Sequence, residues 1–318
     1  MDFTLTDEQQ LLVDTATALL GAECPPALLR ASMEDEHAAD DLWADHLAEW
    51  VELADGDLVD LVLFVEQCGR HLVPGVFVPT LVARQFAPVA GAATVAMAGP
   101  DGVWVPNEST TRVFVPEASL ADELVVVAPE GVAVLRRADL VGLEPMETLD
   151  LVRRFWRVEV PGGLRFEPPG RELDRAVARA TVIVAAELIG VARWLLDTAV
   201  AYAKERVQFD RPIGSFQGLQ WKLVDAALEV ERASAAVAAA AMSVDAGTED
   251  AAIAVHAARA EAGSAAMRAG RDSMATHGGI GYTWEHDLHL YLRRARAAEG
   301  WFGPVGWHLD RLADQLFA

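Results

Sequence analysis

His277-Gly-Gly-Ile-Gly-Tyr-Thr-Trp-Glu-His-Asp-Leu-His-Leu-Tyr-Leu-Arg-Arg294, closed a turn later by Trp301-Phe302-Gly303, decides how this chain reads. Gly278, Gly279 and Gly281 follow a helical stretch. Glycine there admits positive φ and lets the backbone come close to a ligand, although a bare glycine loop also serves as a helix C-cap. A nicotinamide-dinucleotide fingerprint does not fit, because no strand precedes the glycines and their spacing differs. Glu285, His286, Asp287 and His289 share a helix face at metal-ligand spacing. No further ligand is marked elsewhere, and acids suit a helix N-terminus in any case, so no metal is expected.

The chain has 318 residues, long enough for two or three packed layers around a large core. Hydrophobic residues make up 52%, with alanine abundant, as expected of closely packed helices. The net charge of −22 argues against nucleic acid or an anionic membrane as partner. No apolar run is long enough to predict a membrane-spanning helix, and the N-terminus lacks the pattern of a signal peptide. Cys24 and Cys68 show no metal spacing. Reduced thiols in a cytoplasmic protein are the expectation.

The fold class expected is α+β, mainly α, in three regions. Residues 1–90 read as helical: Thr6 with Gln9 forms a capping box ahead of Leu12, Ala16, Leu19 and Leu20. Pro25-Pro26 restarts the helix, and further segments are expected over Asp40–Leu53, Leu58–Leu72 and Pro79–Phe86. Residues 91–169 read as a small β-domain, with strands expected at Thr94–Ala98, Val103–Pro106, Arg112–Val115, Glu123–Val127, Val132–Arg136 and Phe155–Val160. Residues 170–318 read as an antiparallel four-helix bundle, with helices over Arg175–Arg206, Ser215–Ala246, Ala251–His277 and Glu285–Arg296.

Arg206-Val-Gln-Phe-Asp-Arg-Pro-Ile-Gly-Ser-Phe-Gln217 joins two of those helices. Backbone donors at a helix N-terminus beside a guanidinium suit a pyrophosphate. An Arg alone in such a place is more often an ordinary surface residue.

The His277 stretch resembles the C-terminal signature of the acyl-CoA dehydrogenases, in which His-Gly-Gly-x-Gly-Tyr precedes a helix and then a Tyr-Glu-Gly turn. The Arg206–Gln217 segment is a second match. The resemblance implies the family's three-part fold and an FAD bound mainly by a neighbouring subunit. Arg206 would pair with its pyrophosphate and Gln217 would contact the same part. Gln208 and Phe209 would line it, Ile213 and Phe216 would form apolar walls, and Gly278 and Gly279 would pack on the adenosine half. The chain departs from the pattern at Asp210, where the family has Gly, and at Ala275, where it commonly has Gln. It is shorter than usual members. The β-region lacks the Thr-Glu-Pro-x-x-Gly-Ser-Asp and Trp-x-Ser/Thr segments that hold the flavin ring and thioester; Met97-Ala-Gly-Pro-Asp-Gly102 keeps only a turn.

In many family members the turn's Glu removes the α-proton of the acyl thioester while the flavin accepts hydride. Counted without a gap from His277, that position is Phe302, flanked by Trp301 and Gly303 much as Tyr and Gly flank the Glu. An alternative family position, early in the preceding long helix, falls near Ala180. Glu187 lies about two turns further along. No catalytic residue is therefore expected in this chain. The pattern resembles the short non-catalytic subunit of the α2β2 acyl-CoA dehydrogenases of actinobacteria, some of which act on CoA esters of steroid side chains. That implies a homologous full-length partner supplying the base, an acyl-CoA substrate, and an electron-transfer flavoprotein or similar acceptor. Two alternatives stand beside it: a flavin-free scaffold or acyl-CoA-binding protein, and a homomeric flavoenzyme with a relocated base.

Overall fold

A computed structural model describes residues 4–169 and 172–317. The chain is mainly helical, with small β-sheets between two helical regions. Helix α1 (Asp7–Glu23) starts on the expected capping box: Thr6 Oγ1 accepts from the Gln9 amide at 3.2 Å, and Gln9 Oε1 accepts from the Thr6 amide at 3.1 Å. Helix α2 (Pro26–Glu34) restarts at Pro26, where a missing N–H costs nothing. The segment expected over Asp40–Leu53 is helical but not α. It runs as a π-turn (Leu42–Leu47) followed by a 3-10 stretch (Ala48–Asp55). Helix α3 spans Leu58–Arg70 and α4 spans Phe77–Ala83, with Pro79 inside the first turn of α4, where amides have no intrahelical partner.

The cap of α3 comes from the far end of the chain. Asp245 Oδ2 accepts from the amides of Leu58 (2.7 Å) and Val59 (3.2 Å).

One sheet has the order β1-β3-β4 (Ala93–Ala96, Glu123–Ala128, Gly131–Arg136), with β1 and β3 parallel. The other has the order β2-β6-β5 (Thr111–Pro116, Phe155–Glu159, Gly142–Met146). Two expectations are corrected here. Val103–Pro106 is not a strand. Gly142–Met146 is one, although Glu144-Pro145 hides it; β5 lies at a sheet edge, where proline is tolerated. In β2 the register shifts between Arg112 and Val115, and Phe114 sits in this bulge at φ 54°.

The C-terminal region is built on α5 (Leu173–Glu205), α6 (Gln217–Ala246) and α7 (Ala251–His277), close to the expected spans. Helix α8 covers Leu288–Gly300, starting later than expected. A further helix, α9 (Val305–Phe317), packs against α7 and makes five helices among the described residues where four were expected. Gly303-Pro304 separates α8 from α9 and masks the second period. Helices α3 and α5 cross backbone to backbone: a Cβ on Gly190 would lie 1.9 Å from the Glu66 carbonyl oxygen, and one on Gly69 would lie 2.0 Å from that of Glu187. Cys24 and Cys68 are free thiols, both buried.

Candidate functional site

Past the end of α5, Val207–Gln208 pairs with Arg211–Pro212 in a two-residue hairpin, β7 and β8. Its central residues, Phe209 and Asp210, have φ of 53° and 61°. Such a turn needs left-handed backbone twice, which favours Asn-Gly over the bulky pair present here. Phe209 is 87% exposed. Arg211 lies over the Phe216 ring at 4.1 Å, with Phe209 edge-on to Phe216. The Arg206 guanidinium is exposed and pairs with no acid among the described residues. Gln208 and Gln217 are exposed, while Ile213 and Phe216 are half-buried. Arg206, Phe209 and Gln217 are thus exposed on and around the hairpin, while the Gln208 amide donates to the Val207 carbonyl at 2.7 Å.

The glycine loop lies at the same end of the bundle. Tyr202, near the end of α5, stacks on His277, the last residue of α7, at 4.5 Å. His277 is buried and its Nδ1 bonds to the Ser273 carbonyl at 2.9 Å, which makes that nitrogen the donor. Burial pushes the His277 pKa down, so the ring is neutral. Gly278 has φ 63° and ψ −137°, a conformation for glycine, and a Cβ on Gly278 or Gly279 would touch nothing within 4 Å. The backbone there is open to an approaching group. Residues 278–282 form a 3-10 turn that ends on exposed Tyr282, with exposed Trp284 two residues on. The acids and histidines that follow do not gather as ligands: Asp287 is paired with Arg30 at 2.6 Å, and His289 meets the edge of Trp284. No metal-holding group of three or more is found among the described residues.

The turn at Trp301-Phe302-Gly303 is apolar and tightly held. Phe302 is 2% exposed, takes φ 58°, and packs on Trp104 at 5.0 Å. Arg259, fully buried, donates to the carbonyls of Ala298 (2.8 Å), Glu299 (2.7 Å) and Trp301 (3.0 Å). His308 Nε2 donates to the Phe302 carbonyl at 2.9 Å. Its Nδ1 then accepts from His256 Nδ1 at 2.9 Å. Burial, reinforced by Arg259, lowers the His308 pKa to about 3, so it stays neutral.

Ala180 is buried in α5 and offers no titratable group. Glu187, the nearest carboxylate by sequence, is fully buried and committed elsewhere. It binds Arg153 through two bonds (2.7 and 2.8 Å) and Arg294 through one (2.9 Å), and Arg294 also bonds to Asp150. Burial works to raise the Glu187 pKa, but the two guanidiniums outweigh it and hold it below the usual carboxylate range. Sequence reasoning singled out Glu187 and missed its partners, since Arg153 and Asp150 sit in a loop without periodicity. It also missed Trp104, and a cavity of about 470 Å³ beside the turn, lined by residues that include Trp104, Phe155, Trp301 and the exposed Glu147.

The fold and these segments define a class. Residues 175–317 match the family model described as acyl-CoA dehydrogenase, C-terminal domain. Among curated relatives, the acyl-CoA dehydrogenase IpdE2 of Mycolicibacterium smegmatis is 31% identical over 98% of this chain and 100% of its own. IpdE2 of Mycobacterium tuberculosis is 34% identical over 93% of each. The chain belongs to the acyl-CoA dehydrogenase family. Among solved structures, the ChsE4-ChsE5 complex of Mycobacterium tuberculosis matches with a TM-score of 0.83 at 24% identity, covering 99% of both chains. A structure described as the Tcur3481-Tcur3483 steroid ACAD G363A variant matches with a TM-score of 0.80 at 24% identity, covering 98% of both chains. No helix of the described residues is long and apolar enough to cross a membrane.

Proposed function

We propose that this chain is the non-catalytic subunit of a heteromeric, FAD-dependent acyl-CoA dehydrogenase, completing the FAD site of a full-length partner that supplies the base. One contrast carries the reading: Arg206, exposed at the end of α5 beside the hairpin, pairs with no acid among the described residues, while Phe302 would occupy the base position under Trp104. One of the similar structures is described as the ChsE4-ChsE5 complex and another carries the two-part name Tcur3481-Tcur3483, which supports the pairing. So does an exposed apolar stripe on α6, Trp221, Val224 and Leu228, each more than 60% exposed and spaced along one helix face.

The residues present fit one half of the cofactor. Arg206 and Gln217 would hold the pyrophosphate of an FAD seated mainly on the partner, Gln208 and Phe209 would line it, and Ile213 and Phe216 would back them. Gly278 and Gly279 would admit the adenosine half to open backbone. FAD, when bound, supplies the hydride acceptor for α,β-dehydrogenation of an acyl-CoA thioester. A steroid side-chain CoA ester is the substrate class we propose, supported by the similar structure described as a steroid ACAD, and an electron-transfer flavoprotein or similar protein would reoxidise the flavin. The division near residues 90 and 169 and a cytoplasmic location belong to the same reading.

The test is co-expression with a longer homologue, to be sought first in the adjacent genes. The complex should be yellow and active and the single chain colourless, and Arg206→Ala should lower flavin content. Unchanged flavin in Arg206→Ala overturns the assignment. The homomeric alternative keeps one foothold, Glu147 on the cavity rim; flavin reduction by acyl-CoA with the purified single chain would establish it.

A further inference from the structure

We propose that Arg30, on the N-terminal helix α2, is a positioning residue for the glycine loop after α7, holding that loop in the shape that receives the flavin nucleotide. The inference rests on the FAD reading above. Arg30 reaches one short segment more than 250 positions away and makes three bonds to it. Its Nη1 donates to the Trp284 carbonyl at 2.7 Å, and its Nη2 donates to the Glu285 carbonyl at 3.0 Å and to Asp287 Oδ1 at 2.6 Å. A guanidinium carries its donors in a rigid planar fork. Two successive carbonyls and a carboxylate bound to one fork therefore fix the path of the backbone that carries them.

The restraint runs on into the loop. Thr283, next to the clamped carbonyls, donates to the Ile280 carbonyl from its amide at 3.1 Å and from its hydroxyl at 2.9 Å. Gly281 is closed in on both sides: a Cβ there would lie 2.9 Å from the Leu288 side chain and 3.1 Å from His277 Cβ. His286 meets His277 edge-on at 4.7 Å. Arg30 thus holds the far end of the Gly278–Tyr282 turn, while the Tyr202–His277 stack holds the near end. Arg30 does not line the open backbone itself, since nothing lies within 4 Å of where a Cβ on Gly278 or Gly279 would stand. Its effect is to order the loop before a ligand arrives, which removes an ordering cost from binding.

Asp287 shows what the clamp displaces. It stands at the N-cap of α8, where an aspartate ordinarily accepts from the first helical amides, yet its side chain makes no cap bond. The Leu288 amide donates to His286 Nδ1 instead, at 3.1 Å. The Asp287 carboxylate is turned to a helix of the other helical region. With side chains 39% and 21% exposed, the ion pair alone contributes little in water. The bonds to the two carbonyls give the contact its geometric effect.

The test uses Arg30→Met, which keeps the apolar stem without donors, and Arg30→Lys, which keeps the charge without the fork. Hydrogen exchange on the full-length chain reads the loop, and titration of the flavin-depleted partner complex with FAD reads the site. In Arg30→Met, amides of residues 280–288 should exchange about tenfold faster or more, with α1 and α3 still protected. Its Kd for FAD should rise about tenfold, and Arg30→Lys should fall between it and wild type. Should Arg30→Met fail to fold, the same loosening and weakening in Arg30→Lys carries the test. Unchanged exchange at 280–288, exchange accelerated alike across the chain, or full rescue by Arg30→Lys overturns the inference. So does a loosened loop with FAD affinity unchanged. A wild-type complex that holds no flavin overturns the reading beneath it, whereas flavin held equally by wild type and Arg30→Met overturns the inference alone.

Discussion

The indole of Trp104 lies on the phenyl ring of Phe302, with centroids 5.0 Å apart and planes 31° from parallel. The contact joins a β-region loop to the turn after α8, at the residue proposed above to stand in place of the family's base. Arg259 and His308 hold the backbone of that turn from the other side. The Phe302 side chain is committed to packing.

Restoring the acid should therefore not restore the reaction. Phe302→Glu buries a carboxylate against the Trp104 ring, and is expected to lower stability by about 3 kcal/mol or more. Urea denaturation gives the cost, and an acyl-CoA oxidation assay on the single chain should remain at background. Activity gained by this one substitution would contradict the division of labour proposed above.

Glu187 is expected to be structural. Glu187→Gln leaves Arg153 and Arg294 buried with one carboxylate partner fewer, at a cost of about 3–5 kcal/mol. Its native pKa is depressed, so its contribution is present above the ordinary carboxylate range and lost as pH falls through the native value. Chemical denaturation of wild type and variant between pH 7 and pH 3 should show the difference shrinking toward acid.

Glu117 should act in the opposite sense. It is buried, with Oε1 accepting from the Arg154 amide at 3.0 Å and Oε2 unpartnered among the described residues. Burial raises its pKa to about 7, against the pull of Arg153 and Arg154 and with a push from Asp150. The folded protein then holds a proton that the unfolded chain releases from about pH 4.5. This group should cost stability progressively as pH rises from about 4.5 to 7, by roughly 3 kcal/mol in all. Glu117→Gln should flatten that limb of the melting-temperature profile. An unchanged slope would show that the carboxyl titrates normally.

Gly190→Ala should disrupt the α3–α5 crossing. The added methyl would lie 1.9 Å from the Glu66 carbonyl and 2.6 Å from the Arg70 amide, both backbone, so one helix must move. A loss of at least about 3 kcal/mol is expected, measurable as a lower melting temperature; a variant as stable as wild type would refute the close approach.

The α-helices were the most legible part, because their signals are local: the Thr6–Gln9 box, Pro26 at a helix start, and apolar periods long enough to survive single exceptions. Elements that needed a partner were not. The stretch from Leu42 to Asp55 looks α-helical by residue type, yet coils as π and 3-10 turns. Strand β5 was hidden by Glu144-Pro145, since an edge strand needs neither alternation nor every amide. Helix α9 was hidden by Gly303-Pro304, which reads as an ending.

By itself the sequence determined the family, through the His277–Gly303 and Arg206–Gln217 patterns, and it carries the expectation that Phe302 and Ala180 stand where relatives place a base. Both are properties of residue identity at fixed spacing. Only the tertiary structure decided that Glu187 is spent on Arg153 and Arg294, that Asp245 caps α3, and that Trp104 closes over Phe302. Those contacts join residues between 34 and 198 positions apart, the extremes being Arg153–Glu187 and Trp104–Phe302. A carboxylate's availability, or a turn's neighbour, depends on which distant groups the packed chain brings within a few ångströms, and local pattern carries no record of that.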